Sequence, residues 1–366
     1  MGVGKVCVWL VIIVIAGVGL TEAQPEAHFK CATENATCRA LIDYTNPNGT
    51  TLRRVQTLFS VKHLPDILGA NNLPSNTNGS HKVGPNEVVK VPFPCKCSDG
   101  TGLSNQVPVY KIRPGDTLFD IATTVFAGLL KYQQIQTANI KKIPDANNIT
   151  AGDKIWIPLP CSCDQVGGSS VVHYAHVVES GNTMGGIAQQ YGTTEQILLT
   201  INGITDPKSL QAGQILDVPL QACSSNVRND SLDSPLLVAN GTYVYTANEC
   251  VKCKCDSSNK FILQCEPSQL KPINWRVCPS MECSTNVSIG NTTSVNSCNS
   301  TTCAYAGYTS LNISTILATQ DTCAVPPGAS GGSNAGSGAS KSTLPGLVWS
   351  NLFILIHFVL FFVYLL

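Results

Sequence analysis

Cysteine is the reactive side chain that dominates this chain, with 17 cysteines among 366 residues. Cysteines at this density form structural disulfides, coordinate zinc or exchange electrons. Residues 250–255 form a Cys-x-x-Cys-x-Cys run, which has the look of a zinc cluster but contains no histidine. An N-terminal set of six cysteines allows fifteen pairings from sequence alone. That set comprises Cys31, Cys38, Cys95, Cys97, Cys161 and Cys163.

The carboxylates and histidines do not form a catalytic pattern. A glycosidase needs two carboxylates across the scissile bond in one cleft, whereas the carboxylates here are scattered over short repeats and a cysteine-rich region. His173 and His176 are three residues apart in a strand-like run, so we expect them to face opposite sides and to have structural roles. No Gly-x-Ser-x-Gly or kinase signature occurs. We therefore predict no enzymatic activity, no cofactor and no metal site.

The composition argues against a nucleic-acid partner. Lys and Arg number 23 and Asp and Glu also 23, so the formal net charge is zero, and 13% of residues are charged. Nucleic-acid binding depends on neutralising phosphates with basic side chains, and this chain has no basic excess. Its length allows two or more domains.

The N-terminus predicts secretion. One positive charge precedes an almost wholly apolar run over residues 6–20, and Thr21-Glu22-Ala23 then presents small residues to a signal peptidase. We predict that residues 1–23 are a signal peptide, cleaved before Gln24, with a transmembrane helix as the alternative. An oxidising compartment favours disulfides over redox or zinc sites. Loss of Cys7 would leave an even sixteen of the 17 cysteines.

The C-terminus predicts a lipid anchor. Residues 347–366 are apolar with no basic residue after them, and a Gly- and Ser-rich linker over residues 326–346 precedes them. Small residues, a polar spacer and an apolar tail form the signal for glycosylphosphatidylinositol (GPI) attachment. We predict attachment at Asn334, with Ser337 as second choice, and removal of the tail. A retained helical anchor is the alternative, and both place the mature protein on the outer face of the plasma membrane.

Ten Asn-x-Ser/Thr sequons agree with that location. One sequon is weak evidence, but ten in a secreted chain are hard to attribute to chance, so we predict N-glycosylation. Glycans would also keep a weakly charged chain soluble. The sequons lie at Asn35, Asn48, Asn78, Asn148, Asn229, Asn240, Asn286, Asn291, Asn299 and Asn312.

Three internal repeats occupy residues 43–223. Their openings, Gly49-Thr50-Thr51-Leu52, Gly115-Asp116-Thr117-Leu118 and Gly181-Asn182-Thr183-Met184, are each offset by 66 residues. The three repeats also end in similar motifs, which are Val91-Pro92-Phe93-Pro94-Cys95, Ile157-Pro158-Leu159-Pro160-Cys161 and Val218-Pro219-Leu220. Repeats two and three also share an asparagine, Asn139 and Asn202. A fixed period of this length indicates repeated structural modules.

The second repeat predicts the order strand, helix, helix, strand. Residues 109–112 alternate apolar and polar side chains, as a half-buried strand does. Asp116 or Thr117 can cap a helix whose apolar residues recur at helical spacing from Leu118 to Val125. A second helix over residues 130–138 and a strand at 154–157, stopped by Pro158, complete the unit.

These repeats resemble the LysM domain, a small βααβ carbohydrate-binding module. The resemblance is strong in repeats two and three and weaker in repeat one, whose first strand the sequence does not place. Three modules with Cys-x-Cys spacers resemble plant LysM receptors. The C-terminal tail and stretches such as 68–74 and 171–178 resemble the GPI-anchored chitin elicitor-binding protein group of plants. The implied fold class is α+β, with three disulfide-linked modules followed by a Cys-rich, disulfide-bonded region near the membrane.

The domain boundaries that we predict follow from this resemblance. The signal peptide (1–23) precedes an N-terminal segment with the divergent LysM 1 (24–98), LysM 2 (108–160), LysM 3 (173–220), the Cys-rich region (223–325), the linker with the GPI site (326–346) and the apolar tail (347–366).

The resemblance also implies three disulfides, Cys31–Cys97, Cys38–Cys163 and Cys95–Cys161, that tie the modules into one rigid head. Modules of about 50 residues bury little apolar surface, so each bridge would contribute roughly 2 to 4 kcal/mol. The pairing of the ten cysteines from Cys223 to Cys323 stays open.

The position of a sugar-binding groove is likewise implied. In LysM modules it lies between the loop after the first strand and the loop before the second. Gly115 would let the backbone approach the sugar, and Leu118 and Ile149 would pack on N-acetyl methyl groups. The competing interpretation is helix capping by Asp116 and Thr117 and core packing of Leu118 and Trp156. In LysM 2 the loops are Pro114, Gly115, Asp116, Thr117 and Leu118, and Asp145, Ala146, Asn147, Asn148 and Ile149.

One sequon lies inside this predicted groove. A glycan at Asn148 would crowd a ligand, so Asn148 is unmodified, or its glycan points away, or LysM 2 is not the binding module. LysM 3 offers the fallback loops 180–184 and 205–209.

The resulting prediction is a plant receptor or co-receptor for chitin oligosaccharides, which are N-acetylglucosamine oligomers, acting in innate immunity. Chitin is neutral and amphipathic, which suits a weakly charged chain. The resemblance implies a LysM receptor-like kinase as partner and plasmodesmata as a further location. A long oligomer would bridge weak sites and favour a homodimer through effective concentration. The alternatives are a receptor for bacterial peptidoglycan and a structural tether between membrane and wall.

Overall fold

The computed structural model describes residues 29–284, 287–294 and 299–321. The predicted signal peptide, the predicted GPI site Asn334, the apolar tail and the sequon at Asn286 lie outside these residues. Within them, no helix is long and apolar enough to cross a membrane.

The first module supplies the strand that its sequence does not reveal. Its elements are β1 (Thr37–Tyr44), β2 (Thr50–Thr51), α1 (Leu52–Leu58), α2 (Leu64–Ala70), β3 (Lys82–Val83), β4 (Val89–Ser98) and β5 (Thr101–Ser104). Strand β1 pairs antiparallel with β4, from Thr37 opposite Lys96 to Tyr44 opposite Val89. The divergent repeat therefore has the same strand, helix, helix, strand order as the others.

The second module confirms the predicted order of elements. It contains β6 (Val109–Lys111), α3 (Leu118–Asp120), a π-helical turn (Ile121–Val125), α4 (Tyr132–Ala138) and β7 (Lys154–Trp156). Helix α4 begins later than predicted because Lys131 is extended, and the Gln134 side chain accepts a hydrogen bond from its N–H at 2.7 Å. The π-helical turn, in which Phe126 N–H bonds to the Ile121 carbonyl at 3.0 Å, was not expected from helical spacing.

The third module shares a sheet with the first. Its elements are β8 (Val171–Val177), α5 (Met184–Tyr191), α6 (Glu195–Ile201), a 3₁₀ turn (Pro207–Ser209) and β9 (Ile215–Gln221). Strand β8 pairs antiparallel with β9 and parallel with β1, which gives a five-stranded sheet of order β5-β4-β1-β8-β9. Strands β6 and β7 of the second module form a separate two-stranded sheet.

An asparagine joins the second helix to the second strand in all three modules. The Asn139 amide donates to the Trp156 carbonyl at 2.7 Å, and its oxygen accepts the Trp156 N–H at 2.9 Å. Asn202 forms the same pair of bonds with Asp217, and Asn71 with Lys90. Each side chain therefore pairs with the strand as a neighbouring backbone would, and the first module retains this feature at Asn71.

Aromatic packing and disulfides unite the modules. Phe59 of the first module lies 5.1 Å from Tyr44 and 5.6 Å from Phe126 of the second, measured between ring centroids. The structure contains the disulfides Cys31–Cys97, Cys38–Cys163 and Cys95–Cys161, which close chain separations of 66, 125 and 66 residues. Closing loops of this length restricts the unfolded chain by about 4 kcal/mol per bridge on the chain-entropy estimate.

The Cys-rich region is folded and disulfide-bonded. Its strands are β10 (Tyr243–Thr246), β11 (Val251–Lys254), β12 (Gln264–Pro267), β13 (Glu282–Ser284), β14 (Val287–Ser288), β15 (Thr292–Ser294), β16 (Asn299–Tyr308) and β17 (Ile313–Asp321), with a 3₁₀ turn at Ser257–Asn259. Its bridges are Cys223–Cys255, Cys250–Cys278, Cys253–Cys265 and Cys283–Cys303. The Cys-x-x-Cys-x-Cys run thus divides its sulfurs among three bridges; Cys298 and Cys323 lie outside the described residues.

This region also packs on the first module. The Tyr243 hydroxyl donates to the Leu73 carbonyl at 2.6 Å. Helix α2 approaches strand β10 so closely that a Cβ at Gly69 would lie 2.0 Å from the Tyr243 carbonyl oxygen. A glycine at residue 69 is therefore required for this contact.

Candidate functional site

The two loops predicted to form the LysM 2 groove leave the same end of the two-stranded β6–β7 sheet. Ile112 N–H donates to the Asp153 carbonyl at 2.9 Å, and Gly152 N–H donates to the Ile112 carbonyl at 2.8 Å. The first loop starts at Pro114, directly after this pairing, and the second ends at Ile149, shortly before it. The pairing of β6 with β7 thus fixes both loops at one edge of the module.

Polar side chains of the first loop hold its shape. Asp116 accepts hydrogen bonds from the Tyr110 hydroxyl at 2.8 Å and the Arg113 N–H at 2.7 Å. Burial, reinforced by the hydrogen bond and charge of Asp116, raises the pKa of Tyr110 to about 12. Thr117 caps helix α3 by accepting the Asp120 N–H at 3.0 Å. Helix capping is therefore confirmed for Thr117 but wrong for Asp116, whose carboxylate bonds back to Tyr110 and Arg113 and not to the helix.

Gly115 gives this loop a stretch of open backbone. Gly115 has a φ of +88°, and a Cβ placed there would meet no atom within 4 Å. Leu118 is only 1% exposed and packs in the core shared by the first two modules. Leu118 therefore supports the loop from beneath, while the backbone at Gly115 lies open at its surface.

The second loop combines a tight turn with partly exposed apolar groups. Asp145 accepts the Asn147 N–H at 2.9 Å, and Asn148 N–H donates to the Asp145 carbonyl at 3.1 Å. Ala146 and Ile149 are half-buried against the core. The exposed part of Ile149 is the apolar surface that this loop offers at the predicted groove.

The described sequons lie at the surface. Asn148 is exposed, so the loop itself does not prevent its glycosylation. Asn299 is half-buried. The remaining sequons in the described part of the chain are exposed: Asn35, Asn48, Asn78, Asn229, Asn240, Asn291 and Asn312. Glycosylation at these positions stays a prediction.

Each module begins its first helix with the same Gly-x-Thr-apolar segment, but the glycine of that segment is not equally accessible in the three modules. Thr51, Thr117 and Thr183 cap their helices, and each is followed by a buried apolar residue. Gly181 has a φ of +89° and, like Gly115, has no atom within 4 Å of an added Cβ. An added Cβ at Gly49 would lie 2.9 Å from the Val83 carbonyl oxygen. The backbone at Gly115 and Gly181 is therefore accessible in the second and third modules, whereas β3 covers Gly49 in the first.

An aromatic pair beside the first loop was missed in the sequence. Phe119 is 59% exposed, and its ring centroid lies 6.5 Å from that of Tyr132. Both side chains line a cleft of about 380 Å³ that also includes Gln134 and Gly213. The helical spacing contained the signal, because Leu118, Ile121 and Ala122 form the buried face and leave Phe119 outside it. The pair is therefore an exposed aromatic surface beside the first helix of the second module.

Trp156 and the two histidines have structural contacts. The Trp156 indole donates to Ser104 Oγ at 3.2 Å, and its ring is half-buried. His173 Nδ1 lies 2.8 Å from Asp217, and Nε2 lies 2.8 Å from the Asp164 carbonyl. Burial lowers the pKa of His173, but the charge and hydrogen bonds of Asp217 and the Asp164 carbonyl outweigh it and raise the pKa above its ordinary value.

Comparison with known proteins places the modules among relatives of similar length. The LysM domain family model matches residues 110–158 and 176–219. LysM domain-containing GPI-anchored protein 2 of Arabidopsis thaliana is 49% identical over 296 residues, which cover 80% of this chain and 83% of that protein. The chitin elicitor-binding protein of Oryza sativa subsp. japonica is 43% identical over 340 residues, with 91% and 90% covered. LysM domain-containing GPI-anchored protein 1 of Arabidopsis thaliana is 34% identical over 315 residues, with 84% and 73% covered. The similarity thus extends well beyond the two matched modules.

Proposed function

This chain belongs to the family of plant LysM domain-containing GPI-anchored proteins, and from that premise we propose that it is a cell-surface receptor or co-receptor for chitin oligosaccharides. A relative in rice is named for binding a chitin elicitor. The observation that carries the proposal is the open backbone at Gly115, beside the half-buried Ile149 loop of the same module.

The chemistry of this edge suits a neutral, amphipathic ligand. An N-acetylglucosamine oligomer presents amides and hydroxyls, which bond to backbone groups, and methyl groups, which pack on apolar side chains. Gly115 exposes backbone without a side chain, and Ile149 and Phe119 of the same module provide partly exposed apolar surface. These groups support a binding role. The equivalent opening at Gly181 makes LysM 3 the second candidate module.

The proposal includes a location and a partner. GPI attachment at Asn334 would hold the protein on the outer face of the plasma membrane, including the membrane of plasmodesmata. A protein held in this way transmits a signal through another chain, for which a LysM receptor-like kinase is the candidate. Long chitin would bridge two copies of the receptor, because tethering the second site raises its effective concentration.

Calorimetric titration of the secreted ectodomain, residues 24–330, with chitin hexamer tests the function. Saturable binding is expected, and Ile149→Asp should weaken it by about tenfold or more because a desolvated carboxylate replaces an apolar contact. Ile140→Asp is the matched control, since Ile140 is an exposed isoleucine of the same module outside both loops.

The other outcomes separate the alternatives. Binding of soluble peptidoglycan fragments but not of chitin would show that the protein is a receptor for bacterial peptidoglycan. No binding to either would overturn the receptor and favour a tether between membrane and wall.

A further inference from the structure

A cleft of about 960 Å³ lies between the first and second modules, and the stretch of its lining over residues 109–113 ends at Arg113, just before the Gly115 loop. Arg53 and Arg54 of α1 line one wall, and Lys111 and Arg113, at and just beyond the end of β6, line the other. Of the described residues that line the cleft, none is acidic. In a chain with 23 basic and 23 acidic residues, this is a local excess of positive charge.

These four cations are not used in ion pairs. The ion pairs of the described residues involve other side chains, and all four cations are exposed. The neighbouring carboxylate of Asp116 is engaged by the Tyr110 hydroxyl and the Arg113 N–H. The cleft therefore keeps its charge available for a ligand.

Two of the guanidinium groups are held in place. Arg53 Nη1 donates to Gln56 Oε1 at 3.0 Å, and its Nε would be 2.8 Å from a Cβ at Gly79. Arg113 lies 5.9 Å from the centroid of the Tyr110 ring. A pre-positioned guanidinium binds a carboxylate through paired hydrogen bonds and loses little side-chain entropy in doing so.

The lining of the cleft indicates a ligand that carries several carboxylates and hydroxyls. Lys111 and Arg113 flank the buried Ile112 and line one wall of the cleft, and Arg53 and Arg54 line the other. Asn46, Thr50 and Thr57 add groups that bond to hydroxyls. Chitin and the core of an N-glycan at Asn48, which lies in the cleft lining, are uncharged and would leave the four cations without a partner.

We propose that this cleft binds a carboxylated polysaccharide, a chain of uronic acids, with the cations of the two modules on its carboxylates. The cleft adjoins the proposed chitin loop at Arg113, but Arg54 and Lys111 lie outside both chitin loops, so the two proposals can be tested independently. Its ligand is recognised by charge, whereas chitin is recognised by backbone and apolar groups.

Titration of the secreted ectodomain with a galacturonic acid decamer, and with its fully methyl-esterified form, tests the proposal. Saturable binding of the acid alone is expected, weakening by about tenfold or more between low and high salt because the contacts are ionic. Arg54→Gln with Lys111→Gln, one change on each wall, should weaken binding by about tenfold or more. Lys260→Gln with Arg276→Gln removes the same charge from the Cys-rich region and should leave binding unchanged.

The same samples are titrated with chitin hexamer, whose binding should not change in either double variant. Because Asn48 lines the cleft, the acid is also titrated against Asn48→Gln. No binding of the acid by either the wild type or Asn48→Gln would overturn the proposal, as would equal loss in the two double variants. Binding of peptidoglycan fragments through Arg54 and Lys111 without binding of the uronate would also overturn it, and would assign the cleft to peptide carboxylates.

Discussion

Asp43 of the first module and His176 of the third are buried together, with Oδ2 of the aspartate 2.7 Å from Nδ1 of the histidine. Asp43 also accepts hydrogen bonds from the Tyr174 hydroxyl and the Val177 N–H. Strands β1 and β8 pair here only through Leu41 with Tyr174 and Ile42 with Ala175. A single carboxylate therefore organises the polar contacts of the junction between the two modules.

Asp43→Ala should destabilise the protein by about 2 to 4 kcal/mol, because it leaves buried donors of Tyr174 and His176 without an acceptor. Chemical denaturation with the disulfides intact measures the loss. Asp230→Ala removes an exposed aspartate paired with Arg228 and should cost less than about 1 kcal/mol. Equal losses in the two variants would contradict the assigned role of Asp43.

The stability of the third module should depend on the protonation of His173. The pKa of this buried histidine is raised in the folded state. Its contribution is therefore fully present below the unfolded pKa of about 6.5 and is lost as pH rises through the higher folded value. The free energy of unfolding should fall over that interval, and His173→Gln should flatten the decline. The exposed His81→Gln variant should retain it, and a decline unchanged in His173→Gln would refute the assignment.

Gly69→Ala should loosen the contact between α2 and the Cys-rich region. The added methyl carbon would lie 2.0 Å from the Tyr243 carbonyl oxygen, so the two elements must separate. A loss of about 1 to 3 kcal/mol and faster proteolysis at the junction are expected. At Gly185 an added Cβ meets only the flexible end of Glu195, so Gly185→Ala is the control. Wild-type protease resistance in Gly69→Ala would show that the contact is dispensable.

Asn139→Ala should disturb the second groove loop as well as stability. It removes the paired bonds with Trp156 that fix β7 against the end of α4, on either side of residues 145–149. A loss of about 2 kcal/mol is expected, together with weaker binding of chitin hexamer. The exposed Asn226→Ala should change neither quantity. Loss of stability with full affinity would show that the loop is positioned independently.

Phe119→Ala should lower affinity for chitin by about tenfold and leave unfolding almost unchanged, since the ring is 59% exposed. Leu311→Ala, at an exposed apolar residue of the Cys-rich region, is the comparison. Titration and thermal unfolding on the same samples separate the two effects. Undiminished affinity in Phe119→Ala would remove the aromatic pair from the site.

Local features of this fold could be predicted because they depend on neighbours in the chain. The Gly-x-Thr-apolar openings specify a left-handed residue, a helix cap and a buried side chain within four positions, and the structure contains all three at Gly115, Thr117 and Leu118. The order of strands and helices in the second module follows from the same short-range signals. The sequence showed that Asn139 and Asn202 occupy equivalent positions in their repeats. It did not show that Asn139 bonds to Trp156 and Asn202 to Asp217, because these partners lie 17 and 15 residues away.

The sequence by itself thus determined the repeats, their βααβ order and the signals for secretion, anchoring and glycosylation, because each is written in a short stretch of residues. Only the tertiary structure decided that β1 and β8 join the first and third modules, and that the Cys-rich region packs on Gly69. It also decided that Arg53 and Arg54 face Lys111 and Arg113 across one cleft. These relationships depend on contacts between residues distant in the chain, and no local spacing encodes which surfaces meet.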